Sequence, residues 1–572
     1  MADDHSQPSV RTALRWVAVL LKPERSFIAL VLVYGLAISL LSLATPISVQ
    51  MLINTVANTA VAAQVLTLAL VLLGLLLLAA TLGAFRVHLM ELFSRRFYAR
   101  LVAQITTRTI HARNPFFQDQ RLDDLFNRYF DITTVQKGIP TLLIGGFTVV
   151  LQAAAGLTLT SFYHPFFLAF NLLVLALSFA ILSIWGRRSI RTGIAVSHAK
   201  YQTARWLEGL GNSNGFFKSS RRIGHALERS EQETAAYIAA KKRHYRNTLS
   251  QTLAFYLLYA FASAGLLALG GWLVIRGQLS IGQLVAAELI LSAAFFGLSQ
   301  LGTYLEVGYD LVAALDEIGL LVQVPQETDV SDTPGRLPPG ELQFRGVRLE
   351  GVGVAATLDL GIPQGSQLAA TAETHEVARL FTTCLKRLAE PGAGLVTIGG
   401  IDIDAIDANQ LRAEVVVLDR TMIVETTIRE YLRLACAAPE DSGRVLDVLQ
   451  LVGLQRRIER LHDGLDTRLS PTGWPLSYAE TMQLKLAGAL LARPRILVLS
   501  LLYDMIEEAT MNRVLAALRG TDMTVICFTN RPEHLQVRGH LWLGVSQQVI
   551  CGREQLLEFR ELARSGEVRG DA

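Results

Sequence analysis

The stretch VLTLALVLLGLLLLAATLGAF, from Val65 to Phe85, runs for 21 residues without a charged side chain. A helix rises about 1.5 Å per residue, so roughly 20 apolar residues cross a hydrocarbon core about 30 Å thick, and only a segment that satisfies its own backbone hydrogen bonds can stay there. Five further runs have this character: Phe27 to Pro46, Thr141 to Phe162, Phe166 to Trp185, Leu253 to Val274, and Leu284 to about Tyr304. Six spans are therefore expected. Hydrophobic residues make up 51% of the 572 and charged residues 18%, against about 25% in an ordinary soluble domain. That balance excludes a disordered chain and a nucleic-acid-coating protein. The polar segment 1–26 runs into the first apolar stretch without a small-residue cleavage site, which reads as a retained anchor.

Charge is divided unevenly. Residues 1–330 carry a balance of +8 and residues 331–572 a balance of −5, which argues against nucleic acid as a partner. Within the first part the basic residues crowd into two long connections. Segment 86–140 holds Arg86, Arg95, Arg96, Arg100, Arg108, Arg113, Arg121, Arg128 and Lys137, while segment 186–252 holds thirteen basic residues against four acidic ones. By the positive-inside bias both face the cytoplasm, as do both termini. These connections contain few glycines or prolines, so the spanning helices are expected to continue beyond the bilayer. NPFFQDQ (114–120) and GNSNGFFK (211–218) interrupt them, each with a Phe-Phe pair suited either to docking in a partner groove or to contact with the membrane surface.

The stretch TDVSDTPGRLPPGE (328–341) is a linker by composition. Beyond it, β-like runs at Leu342–Leu349, Leu395–Ile398, Val415–Leu418, Ile496–Leu499 and Thr524–Phe528 alternate with helical stretches, the signature of a three-layer α/β domain with a partly parallel sheet. Cys384, Cys436, Cys527 and Cys551 are too dispersed for a zinc site or a disulfide framework and read as reduced thiols.

Six spans with two long connections at 27–327, the linker 328–341, and an α/β domain at 342–572 together resemble a half-transporter of the ATP-binding cassette (ABC) exporter family. IDIDAIDANQLR (401–412), TIREYL (427–432), GLDTRLS (464–470), LAGALLARPRILVLS (486–500) and GGWLVIRGQLSIGQLVA (270–286) carry the resemblance. It implies an α-helical six-span membrane domain followed by a P-loop-NTPase-like nucleotide-binding domain, seated in the lipid bilayer, in the bacterial inner membrane.

The residues that would perform the chemistry depart from the family pattern. A phosphate loop needs glycines for close backbone approach, a lysine for the β/γ phosphates and Ser/Thr for Mg²⁺. Aligned without gaps, that pattern falls on Ala372 to Leu380, with Ala378 in place of the lysine, Arg379 and Leu380 in place of the Ser/Thr pair, and Glu373 and Glu376 adding charge that repels phosphate. The chain contains no Gly-Lys dipeptide, and residues 331–572 hold only two lysines, Lys386 and Lys485. The strand that should end in a Mg²⁺-binding Asp and a catalytic Glu reads ILVLSLLYD, with Ser500 and Leu501 at those places. The Mg²⁺-sensing glutamine falls on Asp419, which still has a charge to offer a cation, and the γ-phosphate histidine falls on Asn530. The signature L-S-G-G-Q is LSYAE (476–480). Ser477 and Glu480 there also spell a helix capping box, a simpler reading than a nucleotide contact.

The sequence therefore nominates no catalytic residue, no cofactor-binding residue, no metal ligand and no cofactor, and the α/β domain is expected to be an inactive cassette. Two roles stay open. One is half of a dimeric transporter, paired as a homo- or heterodimer with a second ABC half-transporter and moving an apolar or amphipathic substrate. The other is a non-transporting scaffold or regulatory subunit that binds another membrane protein complex. Intramembrane polar residues that could line a path are Gln152, Asn171, Gln300 and Tyr304, with Glu288 as the one ionisable candidate. Hydrogen bonding between helices is the competing role for the Gln and Asn side chains.

Overall fold

The structure, a computed structural model, describes residues 10–58, 62–113, 123–327, 338–351, 353–437 and 443–565. The segment 114–120, with the first Phe-Phe pair, most of the linker, residues 1–9 and the C-terminal tail lie outside these ranges. The chain divides into two compact units, the first ending at Gln326 and the second beginning at Glu327.

The first unit is helical: α1 (Val10–Leu21), α2 (Arg25–Leu41), α3 (Ala44–Asn58), α4 (Ala62–Ile110), α5 (Asp131–Thr141), α6 (Phe147–Ser161), α7 (Pro165–Asn212), α8 (Asn214–Phe217), α9 (Ser220–Ile275) and α10 (Ile281–Val322). Among the described residues six helical stretches are long and apolar enough to cross a membrane, one for each run read from the sequence. The protein is an integral membrane protein. Three of the helices far exceed what a bilayer needs, at 49 residues for α4, 48 for α7 and 56 for α9. The second Phe-Phe pair sits on the short turn α8 between α7 and α9.

The first span differs from the expectation of one unbroken helix. Hydrogen bonding changes register at Ser42 and Leu43, with Leu43 N bonded to Leu40 O, and α3 carries Pro46 in its first turn, where a missing N–H costs little. Between α5 and α6, residues Leu142–Gly146 form a π-helical turn. There Gly145 and Gly146 lie against Tyr304 of α10, and a Cβ on Gly145 would stand 2.4 Å from the ring, so only glycine permits that approach.

Polar contacts tie the apolar helices at defined points. Asn171 of α7 donates to Leu157 O at 2.9 Å, Thr160 Oγ1 at 3.0 Å and Ser161 Oγ at 3.0 Å, all on α6. Arg128 Nε meets Glu317 Oε2 at 2.5 Å, with both side chains buried and His198 Nε2 3.7 Å from the other carboxylate oxygen. Asp131 accepts from Lys200 Nζ at 3.0 Å and from Tyr201 Oη at 2.7 Å. Glu24, fully buried after α1, is held by Arg100 at 3.1 Å and Arg96 at 3.5 Å, which fastens the N-terminal helix to α4.

The second unit contains two sheets where the sequence reading anticipated one. The strands are β1 (Leu342–Gly351), β2 (Val354–Ile362), β3 (Gln367–Ala372), β4 (Ala393–Ile398), β5 (Ile401–Asp402), β6 (Val415–Leu418), β7 (Ile496–Leu499), β8 (Thr524–Phe528), β9 (Gly539–Leu543) and β10 (Gln548–Cys551). An antiparallel sheet has the order β2-β1-β4-β5, and a mixed sheet has the order β10-β9-β3-β8-β7-β6. In the mixed sheet every pairing is parallel except that of β10 with β9. β7 and β8 are buried along their whole length, which is why they read as continuous apolar runs and not as alternating ones.

The helices that bear on the site are α11 (His375–Leu385), α12 (Ile428–Ala435), α13 (Val445–Leu451), α14 (Tyr478–Ala492), α15 (Glu508–Ala517) and α16 (Arg553–Ser565). One core joins both sheets to α11 through Phe344, Val377, Phe381, Val498 and Phe528. A second gathers α12 to α15 around Leu432, Leu449, Met482, Leu486 and Val514. Arg493 ends α14 in the left-handed conformation at φ 49°, and Pro494 follows, a residue that cannot extend the helix.

Candidate functional site

In an open parallel sheet, ligands gather at the carboxyl ends of the strands, and here that edge is formed by the residues after β3, β6, β7 and β8. Each has a specific partner within the unit.

After β3 only Glu373 and Thr374 separate the strand from α11, which begins at His375. A cradle for phosphate requires successive free N–H groups on a loop. Here Thr374 is the N-cap, its Oγ1 accepting from Val377 N at 3.3 Å. Glu373 turns away from the helix: its N donates to Leu543 O at 2.8 Å and its Oε2 accepts from Val545 N at 2.8 Å. Glu376 engages Arg379 one turn on, at 3.0 and 3.1 Å. Ala378, at the lysine position, packs partly buried against the core that joins the sheets. Thr374 was not singled out from sequence, although a Thr before an apolar helical run is a recognisable start signal.

After β6, Asp419 meets Lys386 Nζ at 2.9 Å and Arg420 Nε at 3.8 Å. The cation it sees is thus a side chain of this unit. Lys485, the other lysine here, donates to Met422 O at 3.0 Å and to Arg420 O, and burial pushes its ammonium down to about 8.

After β7, Ser500 N donates to Leu418 O at 3.1 Å, while its hydroxyl is buried and finds no partner among the described residues. Leu501 opens a 3₁₀ turn whose Asp504 Oδ2 accepts from Asn530 N at 2.9 Å, so the segments after β7 and β8 are joined by a carboxylate and a backbone amide. A cavity of about 130 Å³ lies behind them, lined by Tyr503, Asp504, Glu508, Cys527, Arg531 and His534. Burial raises the Cys527 thiol to about 12, which removes it as a nucleophile at neutral pH.

At the segment aligned with the signature, the capping box forms. Ser477 N donates to Glu480 Oε2 at 2.8 Å, and Glu480 N to Ser477 Oγ at 3.3 Å. Glu480 also pairs with Arg457 at 3.1 Å. Tyr478, which with Ala479 stands where the signature has glycines, projects into solvent at 58% exposure.

In the first unit three of the polar candidates have contacts of their own. Asn171 is spent on α6; Glu288 accepts from Ser292 of its own helix at 2.8 Å; Tyr304 packs on the π-helical turn.

Comparison with known proteins agrees with this architecture. Residues 28–204 match the family model of the ABC transporter transmembrane region. The chain is 26% identical over 540 residues to the ABC multidrug transporter mdr2 of Aspergillus fumigatus, covering 88% of this chain and 66% of that one. It is 20% identical over 534 residues to the transport/processing ATP-binding protein ComA of Streptococcus pneumoniae, covering 91% and 73%. It is 24% identical over 499 residues to a fatty acid ABC transporter ATP-binding/permease protein of Mycobacterium tuberculosis, covering 85% and 78%. The chain thus spans about two thirds to four fifths of the length of these relatives. The fold matches that of a bacterial Atm1-family ABC exporter solved with ATP bound, at TM-score 0.79 and 19% identity over 97% of this chain and 100% of that one. The chain has the fold of an ABC exporter half-transporter, a six-span transmembrane region fused in one polypeptide to a nucleotide-binding-domain-like α/β unit.

Proposed function

We propose that this chain is an ATPase-inactive half-transporter, contributing one half of a dimeric membrane transporter for an apolar or amphipathic cargo. The carrying observation is the start of α11 at His375, ahead of Ala378, with Thr374 as its cap. Two of the N–H groups that a triphosphate would need, those of Val377 and Ala378, are bonded to Thr374 Oγ1 and Thr374 O, and Ala378 supplies no ammonium. The carboxylates at the other strand ends are likewise committed, Asp419 to Lys386 and Asp504 to Asn530 N.

A dimer of two such chains carries no intact phosphate loop, so nucleotide-driven movement requires a second half-transporter that retains G-x-x-x-x-G-K-[ST]. The Lys/Arg bias of segments 86–140 and 186–252 supports an orientation with both termini in the cytoplasm. An amphipathic cargo suits a membrane region whose polar groups are mostly neutral, and one similar protein is a fatty acid transporter of Mycobacterium tuberculosis.

The test is calorimetry on the full chain in lipid nanodiscs. No Mg-ATP binding in the micromolar range is expected; a Mg²⁺-dependent micromolar affinity overturns the reading. Gentle co-purification from the native membrane should recover an ABC subunit with an intact phosphate loop, and recovery with an unrelated membrane complex alone would refute the transporter role.

A further inference from the structure

Helix α4 carries five arginines, and four of them are matched. Arg95 pairs with Glu91 at 2.8 Å, Arg96 and Arg100 share Glu24, and Arg108 donates to Val322 O at 2.6 Å. Arg86 differs. Its side chain is 8% exposed, and its one hydrogen bond among the described residues runs from Nη1 to the neutral Thr148 Oγ1 at 2.6 Å, while Nε is buried with no acceptor.

A guanidinium stays charged at any physiological pH, and burying one without a counter-anion is costly. Gly35 of α2 faces the group, where a Cβ would stand 3.6 Å from Nη1, and the same spot is walled by Phe147 and Leu151 of α6. The π-helical turn Leu142–Gly146 directly precedes Phe147, and such turns recur at functional sites. Arg86 also follows the apolar run 65–85 immediately, which sets it at the depth where a hydrocarbon core gives way to headgroups. Phe85 and Val87 beside it are exposed and apolar.

We propose that Arg86 binds the oxyanion head of an amphiphile, a carboxylate or a phosphate, whose tail lies along the apolar face of α4. The site belongs to the membrane unit and stands whether or not the second unit handles nucleotide. Two sources share this chemistry, an anionic phospholipid of the bilayer and a free fatty acid.

The test is native mass spectrometry of the full detergent-solubilised chain, titrated separately with phosphatidylglycerol, oleate and neutral phosphatidylcholine. At least one of the two anions is expected to bind roughly tenfold or more tightly than phosphatidylcholine, the scale of a charge-assisted hydrogen bond. Arg86→Met should abolish the preference, and Arg86→Lys should keep most of it. Preference for phosphatidylglycerol alone assigns a bilayer lipid, and for oleate alone a free acid. The proposal is overturned if the unaltered chain prefers neither anion, a result that needs no variant to fold, or if Arg86→Met retains the preference.

Discussion

Lys386 Nζ lies 2.9 Å from Asp419 Oδ2, joining the C-terminal end of α11 to the residue after β6 across the ligand edge of the mixed sheet. Both side chains are largely buried, so truncating one leaves a poorly solvated charge. Lys386→Met should lower the unfolding free energy by about 1–3 kcal/mol, and the double variant with Asp419→Asn should recover part of that loss. Denaturant titration of the full chain in detergent, followed through the second unit's tryptophans, measures the coupling.

The capping box at Ser477 and Glu480 predicts a stability effect without a ligand effect. Ser477→Ala should cost about 1 kcal/mol, as loss of an N-cap does. If the midpoint of thermal unfolding does not fall, the cap contributes nothing to α14.

Restoring the lysine should not restore a phosphate site. Ala378→Lys forces a long cation into a partly buried position against the core and should destabilise by about 1–2 kcal/mol with no gain in Mg-ATP affinity. Replacing the whole segment 372–380 by a glycine-containing loop is the change that calorimetry would be expected to register.

Lys485 makes stability depend on pH. Its ordinary value of 10.5 falls to about 8 on burial, so between these the unfolded chain holds more protons and stability rises with pH. Relative to Lys485→Met, the unaltered chain should therefore gain roughly 2–3 kcal/mol from pH 7 to pH 10. A flat difference across that range would contradict the assignment.

In the first unit, Arg128→Met strips the buried Glu317 of its arginine partner and leaves His198 at 3.7 Å. A loss of about 3–5 kcal/mol is expected, seen as a lower melting temperature in detergent. Arg128→Met with Glu317→Leu together should be milder than the single change.

The spans were legible because an uncharged run of 20 residues has few other fates, and β6, β7 and β8 were legible because each is a short, uncharged run rich in β-branched residues. β3, the strand that leads to the candidate site, was not: QLAATA has no large apolar residue besides Leu368 and gains its burial from β8 and β9 on either side. β9 (GHLWL) has large apolar residues but no β-branched one, and was missed for that reason. The alignment of Ala372 to Leu380 located the residues that matter, while the turning of Glu373 toward Val545 depends on a hydrogen bond to a residue 172 positions away. Arg86 was counted among loop charges because it borders an apolar run; its isolation emerges only when α2, α4 and α6 come together.

The 56 residues of α9 reach about 84 Å at 1.5 Å per residue, so with about 30 Å spent in the bilayer some 50 Å of rod stands clear of it. Such a rod is a lever. A tilt of about 5° at the membrane edge would carry its tip, and with it Phe216 and Phe217 on α8, through about 4 Å. Helices α7 and α9 brace one another as the two legs of that strut, so a displacement too small to reopen any packing within the bilayer becomes, at the aromatic pair, the width of a side chain.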